Sequence, residues 1–338
     1  MPKAQFTTIK WCTVDKAMKY IGGLICGLRC FAFTILEYSG LSAGKGTPKS
    51  NIRDIYHIYF APYLLVPPEP IGLILPQIDY KIMRLKNKVA VITGGNSGIG
   101  FGIAKEFFLE GAQGAIVGRA QETLDSSVAQ LGDRFIAIKA DVTNLEDLDR
   151  VFKETYEKFG KIDIVVANAG GAATGAKLGS VAEIGEADYD KTMDLNLKSV
   201  YFTVHKALPY LKDGSSIVLI GSNAAHIGLP ALSLYGGAKA AVIAWAKGFS
   251  LDLLERKIRV NVVSPAAIDT PVFEKFIEPG QVEAVKKQLV QGIPVGRIGQ
   301  PRDVAKAVVF LGSDESSFLL GTEILVDGGS VNLQPFKA

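Results

Sequence analysis

From Lys88 onward, short apolar runs alternate with stretches whose apolar residues recur at helical spacing. Residues 89–92 read as a buried strand, and after a glycine-rich turn Ile99, Ile103 and Phe107 fall on one helical face. The alternation then repeats to the end of the chain. It predicts strands at residues 115–117, 135–140, 162–167, 216–220, 259–263 and 323–326. Helices are expected up to Leu131, at 145–159, over about 189–208, from Tyr235 to about Leu254 and at 302–311, with a helical insertion at 273–291. Near-continuous apolar strands separated by helices imply a parallel sheet covered on both faces. The expected fold is therefore an α/β, doubly wound (Rossmann-type) parallel sheet in a single domain. Ligands of such sheets bind at the carboxyl ends of the strands, beside the topological switch point.

Residues 1–82 do not share this pattern, so the chain divides into an N-terminal extension without clear regular structure (1–82) and the Rossmann-type domain (83–338). The extension carries nine Lys and Arg against five Asp and Glu, although the whole chain has a net charge of only +3. Its apolar stretch at 21–38 contains Arg29 near the middle and Gly22, Gly23 and Gly27, which weaken it as a membrane-spanning helix. Arg29 also interrupts it as a signal peptide. The stretch at 63–76 is apolar but punctuated by prolines. Three readings stay open: a disordered extension, a weak membrane-contacting anchor, or sequence foreign to the native protein, with Met83 placed like a normal start.

The small net charge gives no reason to expect nucleic acid as a partner. Cys12, Cys26 and Cys30 all precede the main body, and His57, His205 and His226 are the only histidines. Neither a disulfide framework nor a metal site is expected there, and the composition predicts a soluble, cytoplasmic protein.

The turn after the first strand reads Thr93-Gly-Gly-Asn-Ser-Gly-Ile-Gly100, a T-G-x-x-x-G-x-G spacing. Glycines let the backbone approach a pyrophosphate, which the free N–H groups and positive dipole end of a helix N-terminus attract. A glycine-rich connection without a ligand is the alternative. The second strand ends at Arg119, with no carboxylate at its tip. A planar, permanently charged guanidinium suits a ribose 2′-phosphate, which points to NADP(H) over NAD(H); a solvated surface arginine is the competing reading. Asp141 closes the third strand near the adenine position, and Asn168-Ala169-Gly170 closes the fourth with residues small enough for close passage.

Tyr235 and Lys239 stand four residues apart on one helical face. A free phenol is too weak a base near neutrality, and a neighbouring cation would lower its pKa. Such a group suits proton transfer to or from an alcohol oxygen while hydride moves at carbon. Ser222, after the fifth strand, could bind the same oxygen.

Taken in order, Thr93-Gly94-x-x-x-Gly98-x-Gly100, Asp141-Val142, Asn168-Ala169-Gly170, Asn196, Ser222, Tyr235 with Lys239, the run from Pro294 to Pro301, Gly321-Thr322 and Val326-Asp-Gly-Gly329 resemble the short-chain dehydrogenase/reductase family in its common form of roughly 250 residues. The resemblance implies Tyr235 as general acid in reduction and base in oxidation, with Lys239 lowering its pKa and holding the nicotinamide ribose. It implies Ser222 as the residue that orients the substrate oxygen and Asn196 as the anchor of a water in a relay to Lys239. Cofactor contacts are implied for Gly94, Asn96, Ser97, Gly98, Ile99, Gly100, Arg119, Asp141, Val142, Asn168, Ala169, Gly170, Tyr235 and Lys239, with Ile268 and Thr270 on the nicotinamide side. The family further suggests a homotetramer using the long helices that carry Asn196 and Tyr235. Where the family has Pro-Gly after the sixth strand, this chain has Pro265-Ala266-Ala267, so a loop needing positive φ would be reshaped. Segments 171–186, 226–234 and 270–293 are expected to set specificity. His226 is read as a rim residue, and His205 and Trp245 as structural. The expected activity is hydride transfer between NADP(H) and a carbonyl or secondary alcohol. A non-catalytic dinucleotide-binding regulator and an NAD(H)-linked alcohol or sugar dehydrogenase are the alternatives.

Overall fold

The computed structural model describes residues 83–278 and 280–333. The extension 1–82, with the membrane-contact and foreign-sequence readings attached to it, lies outside the described residues.

Seven parallel strands form one sheet in the order β3-β2-β1-β4-β5-β6-β7. They are β1 (Val89–Thr93), β2 (Gln113–Gly118), β3 (Phe135–Lys139), β4 (Ile162–Ala167), β5 (Leu211–Ile220), β6 (Arg259–Pro265) and β7 (Glu323–Val326). The chain runs outward from β1 to β3, then crosses back to place β4 on the other side of β1. The carboxyl ends of β1 and β4 therefore flank the switch point.

Side chains alternate across the pleat, so each strand feeds two cores. Val91, Val165, Leu219 and Val262 face α3 (Leu145–Phe159), α5 (Ser199–Ala207) and α6 (Ser233–Asp252). Ile92, Val166, Val218 and Val263 face α1 (Gly98–Leu109), α2 (Gln121–Leu131) and α9 (Pro301–Gly312). The doubly wound single-sheet architecture expected from the pattern is the one observed.

Three local departures have physical causes. The helix expected over about 189–208 is interrupted: α4 (Glu186–Met193) passes through a π-helical turn at Asp194–Lys198 before α5 begins. Widened turns of this kind concentrate at functional sites. Strand β5 starts five residues before the apolar run: Leu211 is buried and pairs with Ile162, but residues 212–214 between it and the run are exposed and the pairing with β4 shifts register there. The insertion after β6 forms two short helices, α7 (Val272–Phe276) and α8 (Val282–Val290), and α8 buries none of its residues. Helix α9 opens with a capping box between Gln300 and Asp303 and with Pro301 in its first turn.

Among the described residues, no helix is long and apolar enough to cross a membrane.

Candidate active site

The end of β1 is tied to the end of β4 by one buried hydroxyl. Thr93 Oγ1 accepts from the backbone N–H groups of Asn168 and Ala169, both at 3.0 Å, and donates to Val166 O at 3.3 Å. Asn168 Nδ2 returns a bond to Thr93 O at 2.8 Å. The turn that follows needs glycine where its backbone packs closest. A Cβ on Gly94 would lie 2.9 Å from Asn168 Nδ2, and one on Gly100 would strike the Gly94 carbonyl oxygen. Gly94 and Gly98 also take φ values of +63° and +50°, which other residues adopt only with strain. Ser97, the N-cap of α1, makes no side-chain capping bond, and the first turn of α1 holds no acidic residue. Helix N–H groups and a Cβ-free cradle thus face one space, and this part of the chain fits a dinucleotide pyrophosphate. Ile99, in the first turn of α1, is partly buried and packs against the core.

Asn96 lies across Gly118 at the tip of β2, and its Nδ2 donates to Thr123 Oγ1 at 2.6 Å. Arg119 is exposed beside them, and its guanidinium donates to Thr174 Oγ1 at 3.2 Å. Asp141 Oδ1 accepts from the backbone N–H and the hydroxyl of Thr143, at 2.9 and 2.7 Å, which shapes the turn after β3; Val142 beside it is buried.

On the far side of β4, the side chain of fully buried Asn196 comes from the π-helical turn. Its Oδ1 accepts from Gly171 N–H at 2.7 Å, and its Nδ2 donates to Gly171 O and Thr192 O at 2.8 and 3.0 Å. Lys239, 2 % exposed, donates from Nζ to Ile220 O at 2.9 Å. A Cβ on Gly170 would lie 3.1 Å from both Asn196 Oδ1 and Lys239 Nζ, so the two polar groups converge where only glycine leaves room. Lys239 Nζ lies 5.7 Å from the centroid of the Tyr235 ring, and the Tyr235 hydroxyl interacts with that of Ser222. Ser222 Oγ also caps the short turn at Asn223–Ala225 by accepting from Ala224 N–H at 3.2 Å.

The electrostatics differ from the sequence expectation. Burial pushes the phenol of Tyr235 above its ordinary pKa, and the Ser222 hydroxyl recovers only part of that. The lowering ascribed to Lys239 is absent from the net result. Lys239 is itself shifted: burial lowers its pKa from 10.5 to about 8. Near neutrality the tyrosine therefore holds its proton, and the lysine stands close to its titration point.

Ile268 and Thr270 reach the same cleft from the loop after β6. Ile268 is buried, and Thr270 lies against the glycine turn, 3.2 Å from where a Gly98 Cβ would be. Ala266 and Ala267 are not among the described residues with positive φ, so the loop takes a path that alanine follows without strain. Two residues without an assigned role proved structural to the site. Thr93 was visible only as part of the turn motif, and the Ile220 carbonyl, a backbone group, has no sequence signal. His226 pairs with Glu323 in β7 at 2.8 Å. Among the described residues no cluster of His, Cys, Asp and Glu could hold a metal ion.

Residues 94–331 match the family model described as Enoyl-(Acyl carrier protein) reductase. The chain is 42% identical to Oxidoreductase asL5 of Sarocladium schorii over 250 residues, covering 73% of this chain and 97% of that protein. It is 36% identical to the Hydroxynaphthalene reductase-like protein Arp2 of Metarhizium brunneum over 261 residues, covering 73% and 96%. A solved short-chain dehydrogenase/reductase from Brucella melitensis superposes with a TM-score of 0.68 at 33% identity, covering 74% of this chain and 99% of that one. This chain belongs to the short-chain dehydrogenase/reductase family. It is an oxidoreductase that uses a dinucleotide to transfer hydride at carbonyl or alcohol carbon.

Proposed function

We propose that residues 83–338 form a carbonyl reductase that prefers NADP(H) and uses Tyr235 as its general acid. The observation that carries this is the convergence of Lys239 Nζ and Asn196 Oδ1 on Gly170, beside a tyrosine whose hydroxyl meets Ser222. Gly94, Asn96, Ser97, Gly98, Ile99 and Gly100 would hold the pyrophosphate. Asp141 and Val142 would meet the adenine, and Asn168, Ala169 and Gly170 would let the cofactor pass. Ile268, Thr270, Tyr235 and Lys239 would meet the nicotinamide riboside. The bound dinucleotide supplies the hydride.

The protein's own residues handle the proton. Ser222 Oγ and the Tyr235 hydroxyl bind the carbonyl oxygen of the substrate. As charge develops on that oxygen, Tyr235 donates its proton, which its raised pKa keeps in place near neutrality. Lys239 faces the resulting phenolate. With a pKa of about 8 it can supply a proton, and one of its three donors is already held by Ile220 O. Asn196 would anchor the water completing that relay; its side chain, bonded to Gly171 and Thr192, keeps one acceptor lone pair. The reductase in the printed name of the Metarhizium relative supports reduction as the working direction.

Arg119 supports NADP(H): it is exposed at the tip of β2, and its nearest polar partner is a neutral hydroxyl rather than a carboxylate. Titrating protein fluorescence with NADPH and NADH tests this, with NADPH expected to bind tighter. Tighter NADH would point to an NAD(H)-linked alcohol or sugar dehydrogenase. Binding without turnover of any carbonyl compound would point to a non-catalytic regulator. We further infer a cytoplasmic homotetramer built on α5 and α6. Tyr201 is 40% exposed there and packs edge-on against Trp245 and Phe249, at 5.4 and 5.5 Å between ring centroids. A monomer in light scattering would overturn that assembly.

A further inference from the structure

The 270–298 excursion leaves and rejoins the body at a neck formed by Ala267–Asp269 and Gly299. Asp269 N–H donates to Gly299 O at 2.7 Å, Gly299 N–H donates to Ala267 O at 3.0 Å, and Ile268 bridges Gly299 in parallel. The neck of the excursion is thus fastened to the residue before the capping box of α9, which packs into the core. Beyond the neck α8 buries none of its residues, and the segment after it is held where Ile293 is buried and Val295 N–H donates to Gly328 O at 3.1 Å. Helices that bury as little as α8 open locally at low cost.

One polar contact crosses from α8 back to the neck. Lys286 Nζ meets Asp269 Oδ1 at 2.8 Å, although 17 positions separate them in the chain. The lysine lies over the Phe273 ring of α7, with Nζ 5.6 Å from its centroid, and is only 20% exposed. Glu283, at 3.5 Å, is a second carboxylate near it, and Gln300 donates to Asp269 from the side of the body. Asp269 sits between Ile268 and Thr270, the two residues that approach the cleft from this loop.

We propose that Asp269 is a positioning residue: by docking Lys286 it holds α7 and α8 against the neck and keeps Ile268 and Thr270 in place for dinucleotide and substrate. The Lys286 ammonium and the Gln300 amide lower the carboxyl pKa of Asp269, so it is ionised throughout the neutral range. The part of the proposal that concerns the cleft rests on the dinucleotide reading above.

The test uses the full chain as Asp269→Asn, Lys286→Met, the double variant and Asp269→Glu. Hydrogen exchange of residues 281–292, without cofactor, reads the docking directly. Asp269→Asn and Lys286→Met are each expected to speed exchange there about two- to fivefold, the range a part-exposed ion pair supplies, with the β-sheet unchanged. The double variant should go no further than either single change, and Asp269→Glu should recover protection. The KM for dinucleotide should rise by a similar factor while kcat stays within twofold. Unchanged exchange in both single variants, or effects that multiply in the double variant, would overturn the proposal. Changed exchange in a protein that binds neither NADPH nor NADH would preserve the docking and refute the dinucleotide reading. If Asp269→Asn does not fold, Lys286→Met carries the same test.

Discussion

Replacing Lys239 by Met should abolish catalysis and yet relieve the folded protein of a cost that depends on pH. Lys239 is 2 % exposed, and burial alone lowers its pKa from 10.5 to about 8. Each pKa unit corresponds to about 1.4 kcal/mol, so the buried ammonium costs about 3 kcal/mol. The sign follows from proton uptake. Below pH 8 both folded and unfolded chains carry the charge, and the cost is present in full. Between about 8 and 10.5 the unfolded chain binds a proton that the folded one has shed, so the wild type gains stability as pH rises. Above 10.5 the cost has gone. Methionine fills a similar volume, while the Ile220 carbonyl loses its donor at about 1–3 kcal/mol. That loss is the same at every pH, whereas the gain is not. Denaturant unfolding of both proteins without cofactor, at pH 7 and at pH 10, isolates the difference. The stability of Lys239→Met relative to wild type should fall by about 2–3 kcal/mol between the two. A relative stability that does not change with pH would refute the reasoning, because it would mean that the ammonium is not desolvated.

The same titration predicts that kcat/KM for carbonyl reduction is flat at low pH and falls above about 8, as Lys239 loses its proton. Lys239→Arg, which cannot deprotonate in this range, should move that limb upward in a pH–rate profile; an unmoved limb would assign it to another group. Gly100→Ala drives a Cβ into the Gly94 carbonyl and should weaken NADPH binding at least tenfold, with about 1–3 kcal/mol of destabilisation in thermal unfolding. Arg119→Ala should cut affinity for NADPH while leaving NADH binding within about twofold, since only the 2′-phosphate differs; equal losses for both would remove Arg119 from phosphate recognition.

The fold was legible because parallel strands buried on both faces must be apolar throughout. Ala90-Val-Ile92 and Ile164-Val-Val166 serve two cores at once, as strands of a sheet covered on both faces do. The turn from Thr93 to Gly100 was legible because glycine is required wherever a Cβ would meet backbone. What escaped was set by packing between distant segments. The start of β5 is hidden because exposed Lys212, Asp213 and Gly214 separate buried Leu211 from the apolar run. The break at Asp194–Lys198 carries no proline or glycine; it shows only once Asn196 is seen bonded to Gly171 across the cleft. The electrostatics of Tyr235 are likewise set by packing. Spacing placed a cation near the phenol, but the net shift depends on how much water the fold removes from both groups, and burial won. Asp269 and Lys286 form no motif at all, because a three-dimensional excursion brings them together.

The most direct measurement is the turnover of Tyr235→Phe with NADPH and a carbonyl substrate that the wild type reduces, alongside NADPH binding by fluorescence. The Ser222 hydroxyl and the cofactor cradle remain in this variant, and only the proton donor is removed. Turnover should fall by a factor of about 10²–10⁴ while the Kd for NADPH stays within about threefold of wild type. Turnover close to wild type would show that another group delivers the proton, and the assignment of Tyr235 as the general acid would be wrong.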